Sequence, residues 1–304
     1  MTVQAPDSGA LTDEEPVRKT VIFIRHGESD WNEIFNKNKL LLLPRLVWGI
    51  IRETLYIPTS HSVFIDSPLS KEGIGQAITL RTFLTNYSKH ADAAAATGEP
   101  RNERLDLLVS TLNGEADGEP SVLVSSNLRR AINTGCIAMW NRLRKTNEKI
   151  LLLDSLQEMS RNVDTNALAG PKEYPEMSVV SKTLGRSFSP AATLDPSENA
   201  GNKGMFSKAL PRLENFNKWI FKRDEPSIIV SAGHSLWFMN YFRTFLPKAS
   251  AHEAKKHKIL NCGAVAFDIV QGKCGGKTWH KIDESSITVI HGGFKTKKSK
   301  KKHK

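Results

Sequence analysis

Two histidines, a pair of arginines and a carboxylate stand at the ends of short apolar runs. Arg25-His26-Gly27-Glu28 closes the β-branched and aromatic run 20–24, and Gly233-His234-Ser235 closes the run 227–231. Arg129 and Arg130 follow Ser125-Ser126-Asn127 at the end of a third run, 121–126, and Glu158 lies shortly after a fourth, 150–153. Fork-shaped guanidinium groups match the oxygens of a phosphoryl group through paired hydrogen bonds. A neutral imidazole can take up that group as a phosphohistidine, which splits one difficult displacement into two easier ones. A carboxyl group near the leaving oxygen can protonate it and then activate water. The residue types therefore point to phosphoryl chemistry, with helix N-termini at Leu128 and Ser235 expected to add N–H donors for an anion. No Cys, His, Asp or Glu spacing suits a metal ion, and neither a metal nor another cofactor is expected.

The four runs read as buried strands. After Asp66-Ser67-Pro68, Ser70 is a plausible N-cap, and Ile74, Ala77, Ile78, Leu80, Phe83 and Leu84 recur at helical spacing. Further helices are predicted over 128–143, 213–221 and 235–245, partial helix near 105–109, and terminal strands over 265–270 and 287–290. The stretch 167–209, rich in Gly, Pro, Ser and Asn, reads as a long excursion over one face. Alternating strands and helices predict an α/β three-layer sandwich, with a mainly parallel central sheet and helices on both faces. Ligands bind such sheets beyond the carboxyl ends of the strands, where all these charged turns lie. The domain layout expected is a disordered leader over 1–17, a catalytic domain over 18–294 and a disordered polybasic tail over 295–304. Inserts interrupt the domain at about 33–65 and 160–210.

Four motifs in order resemble those of the histidine phosphatase superfamily, which includes the cofactor-dependent phosphoglycerate mutases. Arg25-His26-Gly27-Glu28-Ser29 with Trp31-Asn32 is similar to its signature, and Asp66 to Gly73 to its "D-x-x-L-S-x-x-G" helix start. Ser125 to Ala131 with Thr134 resembles its "S-x-L-x-R-A-x-x-T" segment, and Gly233-His234-Ser235 its second-histidine motif. The resemblance implies a phosphoglycerate mutase-like fold and a metal-independent phosphohydrolase with His26 as nucleophile. Arg25, Arg130 and His234 would then hold the phosphoryl oxygens. Arg130 is preferred to Arg129 because it directly precedes the alanine of the motif. Asn32 would be an auxiliary phosphate contact and Glu158 the proton donor, with Glu28 as the fallback. In the mutases the donor glutamate sits in an "E-R-x-Y-G" run, whereas Met159, Ser160, Arg161 and Asn162 follow Glu158 here. Hydrolysis is therefore favoured over mutase-type transfer, and a non-catalytic phosphate-binding module is the third reading. Sugar phosphates, inositol phosphates, nucleotides and phosphoproteins all stay open as substrates.

The chain has 304 residues, 39% hydrophobic and 25% charged, which excludes neither one large domain nor two small ones but does exclude global disorder. Its net charge is +11, and seven lysines without an acid fall in the last ten residues; the remainder carries a modest +4. That tail has no interleaved aromatics, so specific nucleic-acid binding is not expected. Nuclear import, an anionic membrane and RNA stay open for it. Three scattered cysteines and an N-terminus without an apolar run predict a reducing, cytoplasmic setting, with a nuclear or membrane-associated pool left open. Within 40–57, Leu46, Val47, Ile50, Ile51 and Leu55 recur at helical spacing, too short and too charged to span a bilayer. A helix packed on the domain, as a lid or an oligomer contact, is expected, with peripheral membrane docking as the sharper alternative.

Overall fold

The first strand sets the layers, because its buried residues alternate between two cores. In β1 (Val17–Arg25), Val21 and Phe23 enter one core and Ile22 and Ile24 the other. The computed structural model describes residues 14–36, 42–56, 62–96, 100–204 and 208–295. After β1 come α1 (Asp30–Asn36), α2 (Leu42–Tyr56), α3 (Lys71–Ala96), α4 (Glu103–Asn113), β2 (Ser121–Ser126), α5 (Arg129–Ala138), α6 (Trp140–Thr146) and β3 (Ile150–Leu153). Next are α7 (Ser178–Leu184), α8 (Pro190–Thr193), β4 (Leu194–Asp195), α9 (Ala209–Ile220), β5 (Ser227–Gly233), α10 (Ser235–Phe245), β6 (Ala264–Cys274) and β7 (Lys277–His291). The sheet order is β4-β3-β2-β5-β1-β6-β7. Pairings among β1 to β5 are parallel, while β6 and β7 add an antiparallel edge.

Helices cover both faces, as the α/β three-layer reading expects. Leu80, Leu112, Ile137, Leu143 and Val180 from α3 to α7 pack with Ile22 and Ile24. Leu213 and Phe216 of α9, and Trp237 and Tyr241 of α10, pack with Val21 and Phe23. Trp237 stacks on Phe23 at 5.7 Å and on Tyr241 at 4.9 Å between ring centroids. The Tyr241 hydroxyl, which could not be buried unpaired, donates to Asn217 Oδ1 at 2.5 Å. Fully burying a side chain such as Phe23 contributes about 1.5–3 kcal/mol, so this aromatic column is a main anchor of α10 and of the turn before it.

Several expectations are corrected. β1 begins at Val17, inside the stretch read as leader. The helix read over 128–143 is two helices that meet at Met139. The 167–209 stretch is no mere surface excursion: β4 pairs with β3, and Met177, Val180, Phe188 and Leu194 enter the core. Those residues are too widely spaced to produce a period. The terminal strands form one long hairpin around Gly275-Gly276, whose φ values of 55° and 70° need glycine. Helix α2 forms as the spacing predicts, but it turns its apolar face to solvent. The expectations for 1–13 and 296–304 lie outside the described residues.

Two glycines in the motifs have a different purpose from a turn. Neither Gly27 nor Gly73 has positive φ. Instead the start of α3 presses against the segment after β1. A Cβ on Gly27 would lie 2.6 Å from the Gly73 carbonyl oxygen, and one on Gly73 would lie 2.0 Å from that of Glu28. Backbone is met on both sides, so neither contact can relax by moving a flexible side chain. Gly73→Ala is expected to cost roughly 1–3 kcal/mol, or about 2–5 °C in Tm for a chain of this length, by forcing the two segments apart. Thermal unfolding checks this; an unchanged Tm would contradict the close-packing account.

Candidate active site

Three consecutive N–H groups fix the turn after β1, and each goes to a different element. His26 N–H donates to the carbonyl of Gly233, the last residue of β5, at 2.9 Å. Gly27 N–H donates to Thr134 Oγ1 of α5 at 3.0 Å, and Glu28 N–H to Gln76 Oε1 of α3 at 2.9 Å. Thr134 Oγ in turn donates to the carbonyl of Arg130 at 2.8 Å, which ties the His26 turn to the arginine helix. Gly233 allows the end of β5 to come this close, since a Cβ there would lie 2.5 Å from Phe23 Cζ. The two histidine turns therefore meet, and the ring centroids of His26 and His234 are 5.0 Å apart.

These turns floor a cleft of about 610 Å³ lined by Arg25, His26, Glu28, Asn32, Arg130 and Glu158 among the sequence candidates. His234 is fully buried and is not part of that lining; it packs beneath, with Nε2 2.8 Å from Ser126 Oγ. Arg25 reaches the Ile259 carbonyl through Nη1 at 2.7 Å, and Arg130 reaches the Asp164 carbonyl at 2.6 Å and Asp164 Oδ2 at 3.4 Å. Arg129 turns away from the cleft to bond the carbonyls of Ser62, Ile65 and Asp66. Buried Arg25 Nε, Asp164 Oδ1 and His234 Nδ1 have no hydrogen-bond partner among the described residues. Buried polar atoms are almost always paired, so this concentration suits a polar ligand.

The tautomer of His26 follows from one contact. Nδ1 lies 2.5 Å from the Gly27 carbonyl oxygen, which can only accept. Nδ1 thus carries the proton and Nε2 keeps its lone pair. Burial first, then the charges of Arg130 and Arg25, hold His26 well below its ordinary 6.5, against the opposing Gly27 carbonyl. His234 is lowered likewise, by burial and then by Arg130 and His26. Both imidazoles are neutral at pH 7. Burial lowers Arg25 to about 10, with Glu158 opposing, which still leaves it charged. The arrangement combines neutral imidazoles with fixed cations, a combination that can receive a phosphoryl group.

The helix N-termini behave differently from expectation. Glu158 Oε1 accepts from Trp237 N–H at 3.2 Å and Met159 N–H at 2.7 Å, and Oε2 from Leu236 N–H at 3.4 Å. Asp66 Oδ1 accepts from Arg129 N–H at 2.7 Å. Two protein carboxylates therefore already use donors at the starts of α10 and α5, as the orphan N–H groups and helix dipole favour. Binding of an anion falls chiefly to Arg25 and Arg130.

Sequence reading missed several contributors. Lys203 Nζ donates to the carbonyls of Glu158 and Ser160, both at 2.6 Å, and to Thr165 Oγ1 at 2.8 Å. Burial, then Arg212, lowers it to about 8. Asp164 braces Arg130, and Lys258, Asn261 and Lys295 also line the cleft. None sits in a motif, and an isolated Lys or Asp in a loop has no spacing that would expose it. Among the described residues no group of three or more His, Cys, Asp or Glu is arranged to hold a metal ion.

No family model and no curated protein matches the chain. Solved structures do. The mycobacterial glucosyl-3-phosphoglycerate phosphatase in complex with VO3 is 14% identical, with 87% of this chain and 97% of that chain covered at a TM-score of 0.41. A structure named mycobacterial hydrolase 2 is 12% identical over 94% and 96%, at 0.40. The ecdysone phosphate phosphatase from Bombix mori, in complex with tungstate, is 13% identical over 82% and 88%, at 0.35. At these scores the likeness assigns no activity.

The neutral histidines carry a consequence for stability. In the unfolded chain both protonate near 6.5, whereas the folded chain holds them well below it. The unfolded state then binds more protons below that value, so stability falls as pH drops through 6.5 towards the folded pKa values and is insensitive to these groups above it. Tm is expected to decline between about pH 7 and 5, and less steeply in His234→Gln. Equal slopes for parent and variant would refute the assignment.

Proposed function

We propose that the chain is a phosphomonoesterase of the histidine phosphatase type, acting through a phosphohistidine on His26. The observation that supports this most is the short Nδ1 contact to the Gly27 carbonyl, which leaves a neutral Nε2 lone pair in a cleft that Arg25 and Arg130 also line. In the first step Nε2 forms a bond to phosphorus while the phosphorus–oxygen bond to the alcohol breaks, and Glu158, entering the step as the carboxylic acid that the second step regenerates, gives its proton to the leaving oxygen. In the second, Glu158 takes a proton from water as the water oxygen bonds to phosphorus. The nitrogen–phosphorus bond breaks, Nε2 regains its lone pair, and inorganic phosphate leaves. Arg25 and Arg130 neutralise the equatorial oxygens throughout, His234 backs the site beneath His26, and Asn32 and Glu28 contribute from the α1 side of the cleft.

Residues 17–295 would form the catalytic unit, needing no metal. The substrate is a phosphorylated small molecule or a phosphorylated protein side chain, either of which a cleft of about 610 Å³ can admit. The departure from the mutase pattern after Glu158 supports water, rather than a second substrate oxygen, as the acceptor.

The test is phosphate release from an aryl phosphate in metal-chelated buffer. The parent chain is expected to turn over, His26→Ala to lose about a thousandfold or more, and Arg130→Lys about a hundredfold. Equal release by parent and His26→Ala would overturn the nucleophile assignment. Phosphoglycerate interconversion without net hydrolysis would overturn the hydrolase reading in favour of a mutase.

A further inference from the structure

Helix α2 inverts the usual amphipathic arrangement. A surface helix normally buries its apolar stripe and shows its polar face to water. Here Leu43, Val47, Trp48, Ile50 and Ile51 are 71%, 50%, 62%, 50% and 45% exposed. Their spacing places them on one broad face. The opposite side attaches the helix to the body. Gly49 fits there because a Cβ would lie 2.9 Å from Ile34 Cδ1 of α1 and 3.1 Å from Phe64 Cζ. The Glu53 carboxylate accepts from the Ser62 hydroxyl and Val63 N–H, both at 2.6 Å, and from Phe64 N–H at 3.2 Å. A small residue and a hydrogen-bonded acid hold the helix, and these five apolar residues are presented outward. Ile65, in the adjoining turn, is also exposed.

We propose that this face docks on an anionic membrane surface. Charge selects that occupant over others. Trp31 and Asn32 of α1, the helix that supports α2, line one side of the cleft, which Lys258 and Lys295 also line. Lys295 is the first of the seven lysines in the last ten residues, among which there is no acid. The helix that supports the apolar face and the root of the basic run therefore line one cleft. A second copy of the chain would offer another apolar face but no negative surface for the lysines. An anionic bilayer satisfies both features at once, the headgroups meeting the lysines and the acyl boundary taking the apolar face. Stable peripheral anchoring generally requires two such signals together. The helix lies on the surface and does not cross it: its 15 residues reach about 22 Å, against a hydrocarbon core of about 30 Å.

Flotation of the full chain with vesicles tests this directly. Binding to phosphatidylcholine–phosphatidylserine vesicles is expected, with little binding to phosphatidylcholine alone and release at high salt. Val47→Glu with Trp48→Glu should weaken binding by at least about tenfold. Replacing Lys297, Lys298, Lys300, Lys301 and Lys302 by Gln should weaken it as well. Because a doubly charged helix could misfold, Trp48→Phe supplies a second reading. Brominated acyl chains should quench tryptophan fluorescence in the parent and markedly less in Trp48→Phe, which keeps the apolar face and so should still bind. The proposal is overturned if the parent ignores anionic vesicles, or if the glutamate variant binds as well as the parent. Equal quenching in Trp48→Phe would overturn it too, as would a parent that sediments as a dimer and a glutamate variant that sediments as a monomer.

Discussion

The site depends on one turn whose backbone is fully committed. The N–H groups of His26, Gly27 and Glu28 go to β5, α5 and α3 respectively, and the Glu28 carbonyl accepts from Ser70 N–H at 3.0 Å. Glycine at 27 and 73 allows those elements to approach at backbone distance. A residue held from three sides has little freedom to move, which is the condition for a preorganised nucleophile. The geometry also couples stability to function. Whatever loosens α3 or α5 moves His26, so substitutions remote from the cleft would reach it through Thr134 or Gly73.

Electrostatics builds on that frame. Two histidines enter a region already charged by Arg25 and Arg130, and burial together with those charges keeps them neutral. Carboxylates settle where donors are plentiful: Glu158 at the start of α10, Asp66 at the start of α5 and Asp164 against Arg130. These acids brace the cations and helix ends without cancelling the positive character of the cleft, which Lys258 and Lys295 also line. The same sign of charge runs on into the C-terminal sequence, which links the chemistry of the cleft to the surface on which the molecule is inferred to sit.

Much of this was legible in the residues. The strands 121–126 and 150–153 are short apolar runs between turn signals, and their bounds are those of β2 and β3. The charged turns at the strand ends were visible because each interrupts an apolar run. Other features left weaker traces. The periodicity of 42–56 shows which residues share a face, but it cannot say whether the body or the solvent takes that face, and here a glycine and a glutamate decided it. The usual reason for a glycine in such a turn is dihedral, whereas the role of Gly27 is close packing, which no sequence pattern reveals. Met177, Val180, Phe188 and Leu194 are core residues spread over a loop-like stretch, so no window captures them. Gly275-Gly276 between the strands 264–274 and 277–291 is a hairpin signal in its own right. Lys203 and Asp164 act by tertiary placement alone.

The central claim, that His26 carries the phosphoryl group, is tested most directly by trapping it. The chain would be mixed with a radiolabelled phosphomonoester that it turns over, quenched in base within one turnover, and mapped by peptide. The account predicts a label that is stable to alkali, labile to acid, confined to the peptide containing His26, and absent from His26→Ala. A label on another residue, or turnover with no covalent label at any quench time, would contradict it.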